Sequence, residues 1–402
     1  MNSSALGTLA LDKHRLLVNL IFILLIISVV GLMVSIALSS IAMGAAIGLA
    51  LILGVLTRFN AFPRTPLDFV FLAYCAAELL STAFSVDASN SLINAKRLFL
   101  IAVAYLILIG IDSENRLQCT MGILFGATAF LSVLELLMLE GTSWHHDRLS
   151  VFQHYMTAGG IKMFILLLML PFAVESAVPL KWRIPLMVGL LVTLAALIMT
   201  QTRSSWLGFI AGAAVVGFFK NRWLLVLLAL IVIAFVVFAP PELQQRAASI
   251  FDSSLGSNAA RIHMLETGWK MILDYPLFGT GDIDLRQLYV TYTQPIDPAE
   301  GGHLHNNFMM LLVTLGAIGF VVVAVLFLRI LLIEVRAIRD SKTRWLLHAI
   351  AVGSLAAYVG FHVNGLFEWN FGDHEIAVLL WFTVGLSLLT RRFAVSTKPI
   401  HS

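Results

Sequence analysis

Apolar runs of about 17–25 residues recur along the chain, separated by short polar breaks, until one long polar interval interrupts them from Pro240 to His305. A helix of that length crosses the ~30 Å hydrocarbon core of a bilayer. Alternating segments of about ten residues, the mark of a membrane barrel, are absent. The pattern predicts twelve spans, at 16–37, 41–57, 66–84, 94–111, 117–139, 161–178, 184–200, 204–219, 222–239, 306–333, 345–366 and 375–390. The expected fold is therefore all-α and polytopic, with about twelve transmembrane helices and one large outer loop. The chain divides into 1–239 with nine spans, the loop 240–305, and 306–402 with three spans and a short tail.

Within the loop, Ser257-Asn258-Ala259-Ala260 reads as a capped helix start. Ile262, Leu265, Trp269, Ile272 and Leu273 follow at helical spacing, which predicts an amphipathic helix over 257–274. Pro276 and Gly279-Thr280-Gly281 then end it. Such a helix lies on the bilayer surface, lids a cavity, or simply connects.

Composition agrees. The chain is 59% hydrophobic and 12% charged, with a mean hydropathy of +0.91, whereas a soluble domain carries about 25% charged residues. The net charge of +3 says little, because sidedness matters more than the sum. Leu16 to Thr57 holds 42 residues without a charge, too long for a signal segment, and is read as two spans turning near Ser39-Ser40. With the N-terminus inside, 17 of the 26 Lys and Arg fall on the cytoplasmic side. Both termini are then cytoplasmic, and the long loop faces outward, which in a bacterial inner membrane is the periplasm. Cys75 and Cys119 fall at different depths and do not suggest a disulfide.

Ionisable groups in or beside spans are costly and functional by default. Here Glu78, Lys96, Arg97, Glu135, Lys162, Arg203, Glu368, Asp373 and His374 all map to the outer-leaflet side, and none is expected at mid-membrane. One reading is that they snorkel or pair at the interface. The other is a polar cavity open to the outside, made cationic by Lys96, Arg97, Lys162 and Arg203. That cavity would take an anionic substrate, since the planar guanidinium fork suits phosphate. Asp282-Ile283-Asp284 is a D-x-D, a weak hint of a divalent cation. His303 and His305, one residue apart, match neither a helical metal pair nor the usual zinc spacing, so no metal or other cofactor is expected. One catalytic histidine, with the other beside it, is the simpler assignment.

His305-Asn306, nine residues, Gly316, two residues, Gly319 resembles the signature of the bacterial O-antigen ligase family. Two further segments are similar to that family: Gln201-Thr202-Arg203-Ser204-Ser205-Trp206, and Arg261 through Trp269 to Tyr275-Pro276-Leu277-Phe278-Gly279-Thr280-Gly281. The resemblance covers topology over the whole chain and three motifs in its second half. It extends to O-antigen polymerases and protein O-oligosaccharyltransferases. It implies metal-independent, inverting glycosyl transfer in the periplasm. The donor would be a glycan on undecaprenyl pyrophosphate, and the acceptor a sugar hydroxyl of lipid A–core. By motif, His305 matches the essential histidine, and Arg203 and Arg261 the essential arginines. Lys96, Arg97 and Lys162 are added as substrate-binding candidates from depth and charge; His303, outside the signature and open in role, and Asn306, placed to orient the imidazole or the substrate, join them beside His305.

A histidine serves as general base near neutral pH, and arginines offset the charge growing on a leaving pyrophosphate. The donor is already activated, so no nucleotide site is needed; no P-loop or dinucleotide fingerprint is present, and no nucleic-acid partner is expected. Membrane lipids remain partners throughout. A transporter is the competing class, but internal repeats and paired, broken short spans are missing. Protein-glycosylating relatives usually carry a soluble C-terminal region, whereas this sequence ends soon after its last span, which tilts the expectation toward a ligase.

Overall fold

The computed structural model describes residues 13–60, 62–138, 148–250, 252, 256–294 and 301–396. Among them all regular structure is helical. A helix stands in each of the twelve apolar stretches: α1 (Arg15–Gly31), α2 (Ile36–Leu56), α3 (Asp68–Ala83), α4 (Ala88–Gly110), α5 (Glu114–Met138), α6 (Tyr155–Ala173), α7 (Leu180–Met199), α8 (Arg203–Lys220) and α9 (Trp223–Phe238) precede the loop. The loop holds α10 (Pro241–Ala248), α11 (Gly256–Asp274) and α12 (Arg286–Tyr292). Helices α13 (Asn307–Asp340), α14 (Trp345–Asn364) and α15 (His374–Ser396) follow. Eight of these, α2, α4, α5, α6, α7, α13, α14 and α15, are long and apolar enough to cross a membrane. Of the others, α1 has 17 residues and α3 has 16, α8 opens on Arg203, Ser204 and Ser205, and α9 bends by 115° into α10.

Several boundaries differ from the pattern for local reasons. The first turn falls before Ser35, whose side chain caps α2 by accepting from the Leu38 N–H. Ser39 is instead inside α2, buried, with its carbonyl accepting from the Ser28 hydroxyl across the α1–α2 contact. α4 begins at Ala88 and passes through a 3-10 stretch at Ala95–Ile101. α13 runs on to Asp340, which puts Glu334 inside a helix, fully buried and hydrogen-bonded by Ser387. Glu334 therefore lies inside α13, just beyond the 306–333 span expected from the sequence.

α6, α14 and α15 form the buried centre, whereas α9 buries none of its residues. α8 reaches the centre through small residues. A Cβ on Gly208 would meet the Gly360 carbonyl at 2.7 Å, and one on Gly212 would meet the Ala356 carbonyl at 2.6 Å. Gly208 and Gly212 thus face Ala356 and Gly360, two small-xxx-small pairs that let the backbones of α8 and α14 approach closely. This contact sets the Arg203 turn beside the segment that follows α14.

One attachment of the loop to the helices is a break in α13. α13 breaks at Gly316, where φ is +65°, and the segment 276–281 docks against the break. Thr280 N–H donates to the Val313 carbonyl at 2.9 Å, Gly281 N–H to Thr314 at 3.0 Å, and Ala317 N–H to Pro276 at 2.8 Å. Gly279, also left-handed at φ +73°, lies so close that a Cβ on it would come within 2.3 Å of the Thr314 oxygen. Only glycine tolerates both the torsion and the approach.

α11 forms where expected, and the face it packs inward is not its apolar stripe. Ala260, Met264, Thr267, Gly268 and Met271 pack inward, while Ile262, Trp269 and Leu273 remain exposed. The approach to α13 decides this: a Cβ on Gly268 would sit 2.7 Å from Leu304 Cδ1. Ser257 and Asn258 do not act as simple caps either, because both bind Arg203.

Candidate active site

The first half of the site is built at the N-terminus of α13. Asn306 has extended backbone angles and N-caps the helix, its Oδ1 accepting from Met309 N–H at 2.9 Å while Nδ2 donates to the Leu366 carbonyl at 2.8 Å. Both side-chain hydrogen bonds of Asn306 thus go to the backbone, and neither reaches an imidazole, one of the two roles the sequence suggested for it. The cap leaves His305 in the left-handed region at φ +46°, a conformation an L-residue adopts only at a cost of about 1–2 kcal/mol. Strain of this kind persists where surrounding structure over-determines it.

What holds it is the segment between α14 and α15. His305 Nδ1 lies 3.0 Å from Glu368 Oε1, and His303 Nε2 lies 3.3 Å from the same oxygen. An ionised carboxylate only accepts, so both ring nitrogens donate. In neutral His305 the lone pair is then on Nε2, the form a general base needs. Burial pushes the Glu368 carboxyl up, but the hydrogen bonds from His303 and His305 and their charge outweigh it, holding it well below the usual carboxylate range. Asp373 nearby goes the other way, raised to about 7 by burial and by the charges of Glu368 and Glu375.

The second half is the turn before α8. Gln201 is left-handed at φ +51°, and Arg203 follows, buried. Its Nη1 donates to the Ser249 carbonyl at 2.6 Å and the Ser249 hydroxyl at 2.9 Å, and its Nη2 to Ser257 Oγ at 3.1 Å and Asn258 Oδ1 at 2.9 Å. Arg203 therefore ties the end of α10 and the start of α11 to the helical core. Arg261, one turn along α11, makes no hydrogen bond or ion pair to any described residue that the structure records. Arg246 and Arg148 complete the cluster. Arg246 Nε donates to the Gln201 carbonyl at 3.1 Å, and burial together with the charges of Arg148, Arg203 and Arg261 lowers it to about 10. Arg148 lies over the Tyr155 ring, 4.3 Å from its centroid.

Arg203, Arg261 and His305 meet in one cavity of about 270 Å³. Asn258 and Ser204 add polar groups, and Leu207, Ile250, Ile262, Leu265, Leu304, Leu366 and Phe367 make the rest of the wall apolar. A chain of amides fixes the two halves against each other. Asn364 Nδ2 donates to Ser205 Oγ at 2.9 Å, Asn370 Nδ2 to Asn364 Oδ1 at 3.0 Å, Asn307 bonds Asn370, and Asn307 Oδ1 accepts from Phe371 N–H at 3.1 Å.

The other cations named from depth and charge are not brought to this cavity. Lys162 is buried against Glu135, 2.8 Å away, in a separate small pocket. Arg97 pairs with Asp282 at 2.5 Å, in another pocket with Glu78. Lys96 is exposed. Equal depth therefore collected opposite charges that neutralise each other in pairs. The D-x-D also separates: Asp282 is buried on Arg97, while Asp284 is exposed and bonded to Arg286 N–H at 3.0 Å. Conversely, His303, His305 and Glu368 come together, with one ligand atom from each mutually within 4.8 Å. Spacing along the chain had argued against a metal there, but the three converge through a turn and a segment more than sixty residues away.

Residues 188–324 match the family described as O-antigen ligase. That stretch contains Arg203, Arg246, Arg261, His303, His305 and the Gly316 break, and stops short of Glu368. No curated protein matches the chain. The matched stretch, about a third of the chain, lies across both halves of the cavity, and over it the chain is similar to the O-antigen ligase family.

Proposed function

We propose that this protein is an inverting, metal-independent glycosyltransferase of the inner membrane. It moves O-antigen polysaccharide from undecaprenyl pyrophosphate to a sugar hydroxyl of lipid A–core. The observation that carries the reading is the cavity in which His305, Arg203 and Arg261 meet under an apolar wall. His305 Nε2 takes the acceptor hydroxyl proton as that oxygen attacks the anomeric carbon. The bond from that carbon to the pyrophosphate oxygen breaks, and the leaving charge develops beside Arg261 and the positive field of Arg203 and Arg246. Glu368 holds the Nδ1 proton in place and offsets the imidazolium charge that forms. The polyprenyl chain runs past Leu207 and Phe367 into lipid.

This reading takes all twelve helices as spans, with both termini cytoplasmic and the 240–305 loop in the periplasm between units 1–239 and 306–402. The cytoplasmic excess of Lys and Arg supports it. Purified protein, given undecaprenyl-pyrophosphate glycan with lipopolysaccharide core, with more donor, or with a pilin, should place glycan on the core. Lengthened donor instead identifies a polymerase, glycoprotein an oligosaccharyltransferase, and movement of intact donor across vesicles without transfer a transporter. His305→Ala should abolish whichever transfer occurs; full activity in that variant would remove the base from this reading.

A further inference from the structure

We infer that His303, His305 and Glu368 form a transition-metal site for Zn²⁺ or a similar borderline cation, and that filling it switches the enzyme off. The part concerning inhibition rests on the proposed role of His305; the part concerning binding does not.

Zinc binds imidazole nitrogen and carboxylate oxygen at about 2.0–2.2 Å in tetrahedral array, which places neighbouring ligand atoms about 3.3 Å apart. The two imidazole nitrogens stand 3.3 and 3.0 Å from Glu368 Oε1, so small adjustments suffice. Both rings lean over one oxygen, with centroids 4.2 Å apart, while the other oxygen, Oε2, is buried without a hydrogen-bond partner among the described residues. A cation between the rings would engage that under-used carboxylate. His303 is the more exposed imidazole and supplies the entry path. Two histidines and a carboxylate leave a fourth position to water, as in three-ligand zinc sites.

The consequence for catalysis follows from proton counting. A neutral imidazole carries one N–H. With a cation on His305 Nδ1, that proton must sit on Nε2, the nitrogen proposed to accept from the sugar hydroxyl. The base becomes a donor, although nothing enters the cavity itself. His303 is bound through Nε2 and keeps its proton on Nδ1. Metal and productive tautomer therefore exclude each other.

The test uses the full-length protein in detergent after chelator treatment, titrated with Co²⁺ and then Zn²⁺. One equivalent of Co²⁺ should give the visible absorption bands of a four-coordinate site, removed by Zn²⁺. In His303→Gln and Glu368→Gln the affinity should fall by more than the roughly 10–100-fold lost with an outer-shell partner. The chelator-treated proteins are compared by thermal unfolding to show that both variants fold. Absent bands, or affinity unchanged in both folded variants, would overturn the site. In the transfer assay Zn²⁺ should inhibit, EDTA should restore activity, and His303→Gln should raise the inhibitory concentration at least tenfold. If Zn²⁺ binds through these residues yet transfer continues, the switch and the role of His305 as base both fall while the site stands. If the site fails but His305→Ala is inactive, the proposed function stands alone.

Discussion

Glu368 and Arg203 each hold a part of the proposed site in place, Glu368 the two imidazoles and Arg203 the start of α11. Glu368 stands behind the cavity wall rather than lining it, and its Oε1 receives both histidines and the Trp369 N–H at 3.2 Å. If it acts only by setting the His305 tautomer, Glu368→Gln should lower transfer by about 10²–10⁴, the range a general base supplies. Adding His305→Ala to that variant should then cost nothing beyond His305→Ala alone, since residues that act as a unit are not additive. Additive losses in the rate assay would mean Glu368 acts elsewhere. The arginines should separate in the opposite sense. Arg261 has its donors uncommitted among the described residues, so Arg261→Lys should lose transfer while the loop stays docked. Arg203→Lys cannot reproduce four hydrogen bonds from one planar fork, so it should lose activity and also make the protein more sensitive to protease at Ser249 and at the start of α11. Equal protease resistance in the two variants would argue that Arg203 binds ligand only.

At the scale of elements, the loop depends on two glycines that cannot be exchanged. Gly316→Ala would place a Cβ 2.4 Å from the Leu277 carbonyl at φ +65°, and Gly279→Ala would strike Thr314. Each should lower the unfolding temperature and abolish transfer, while Gly122→Ala and Gly126→Ala on α5, where nothing lies within 4 Å, should be neutral or slightly stabilising. Measured unfolding temperatures that fall equally in all four would contradict the docking described. The sequence shows why these elements exist, since apolar runs force helices wherever the backbone must satisfy itself in lipid. It is less clear on how they meet. His305, Arg203 and Arg261 are legible through short motifs, but Glu368 lies 63 residues from His305 and belongs to no motif that reaches it. Depth alone does not reveal that Glu135, 27 residues earlier, stands opposite Lys162. The apolar stripe of α11 does not reveal which face approaches the core; the absence of a side chain at Gly268 does.

For the whole molecule, the bilayer orientation is the next thing to measure. In a variant lacking Cys75 and Cys119, a cysteine at Lys270, exposed on α11, should react with a membrane-impermeant thiol reagent in intact spheroplasts. A cysteine at Lys342, in the turn between α13 and α14, should react only after permeabilisation. Reversed labelling would invert every helix and place the cavity on the cytoplasmic side.

The amide chain from Ser205 through Asn364 and Asn370 to Asn307 has a further meaning on heating. The Arg203 turn and the His305 turn are about a hundred positions apart, and these few polar links help to register one against the other. Helices in lipid keep their own hydrogen bonds long after their mutual alignment loosens. Catalytic competence should consequently have its own, lower melting point. On a slow temperature ramp, transfer should decline while helical circular dichroism is still flat, and Asn370→Ala should widen the gap between the two curves. Coincident curves in both proteins would mean that alignment and helix content are lost as one.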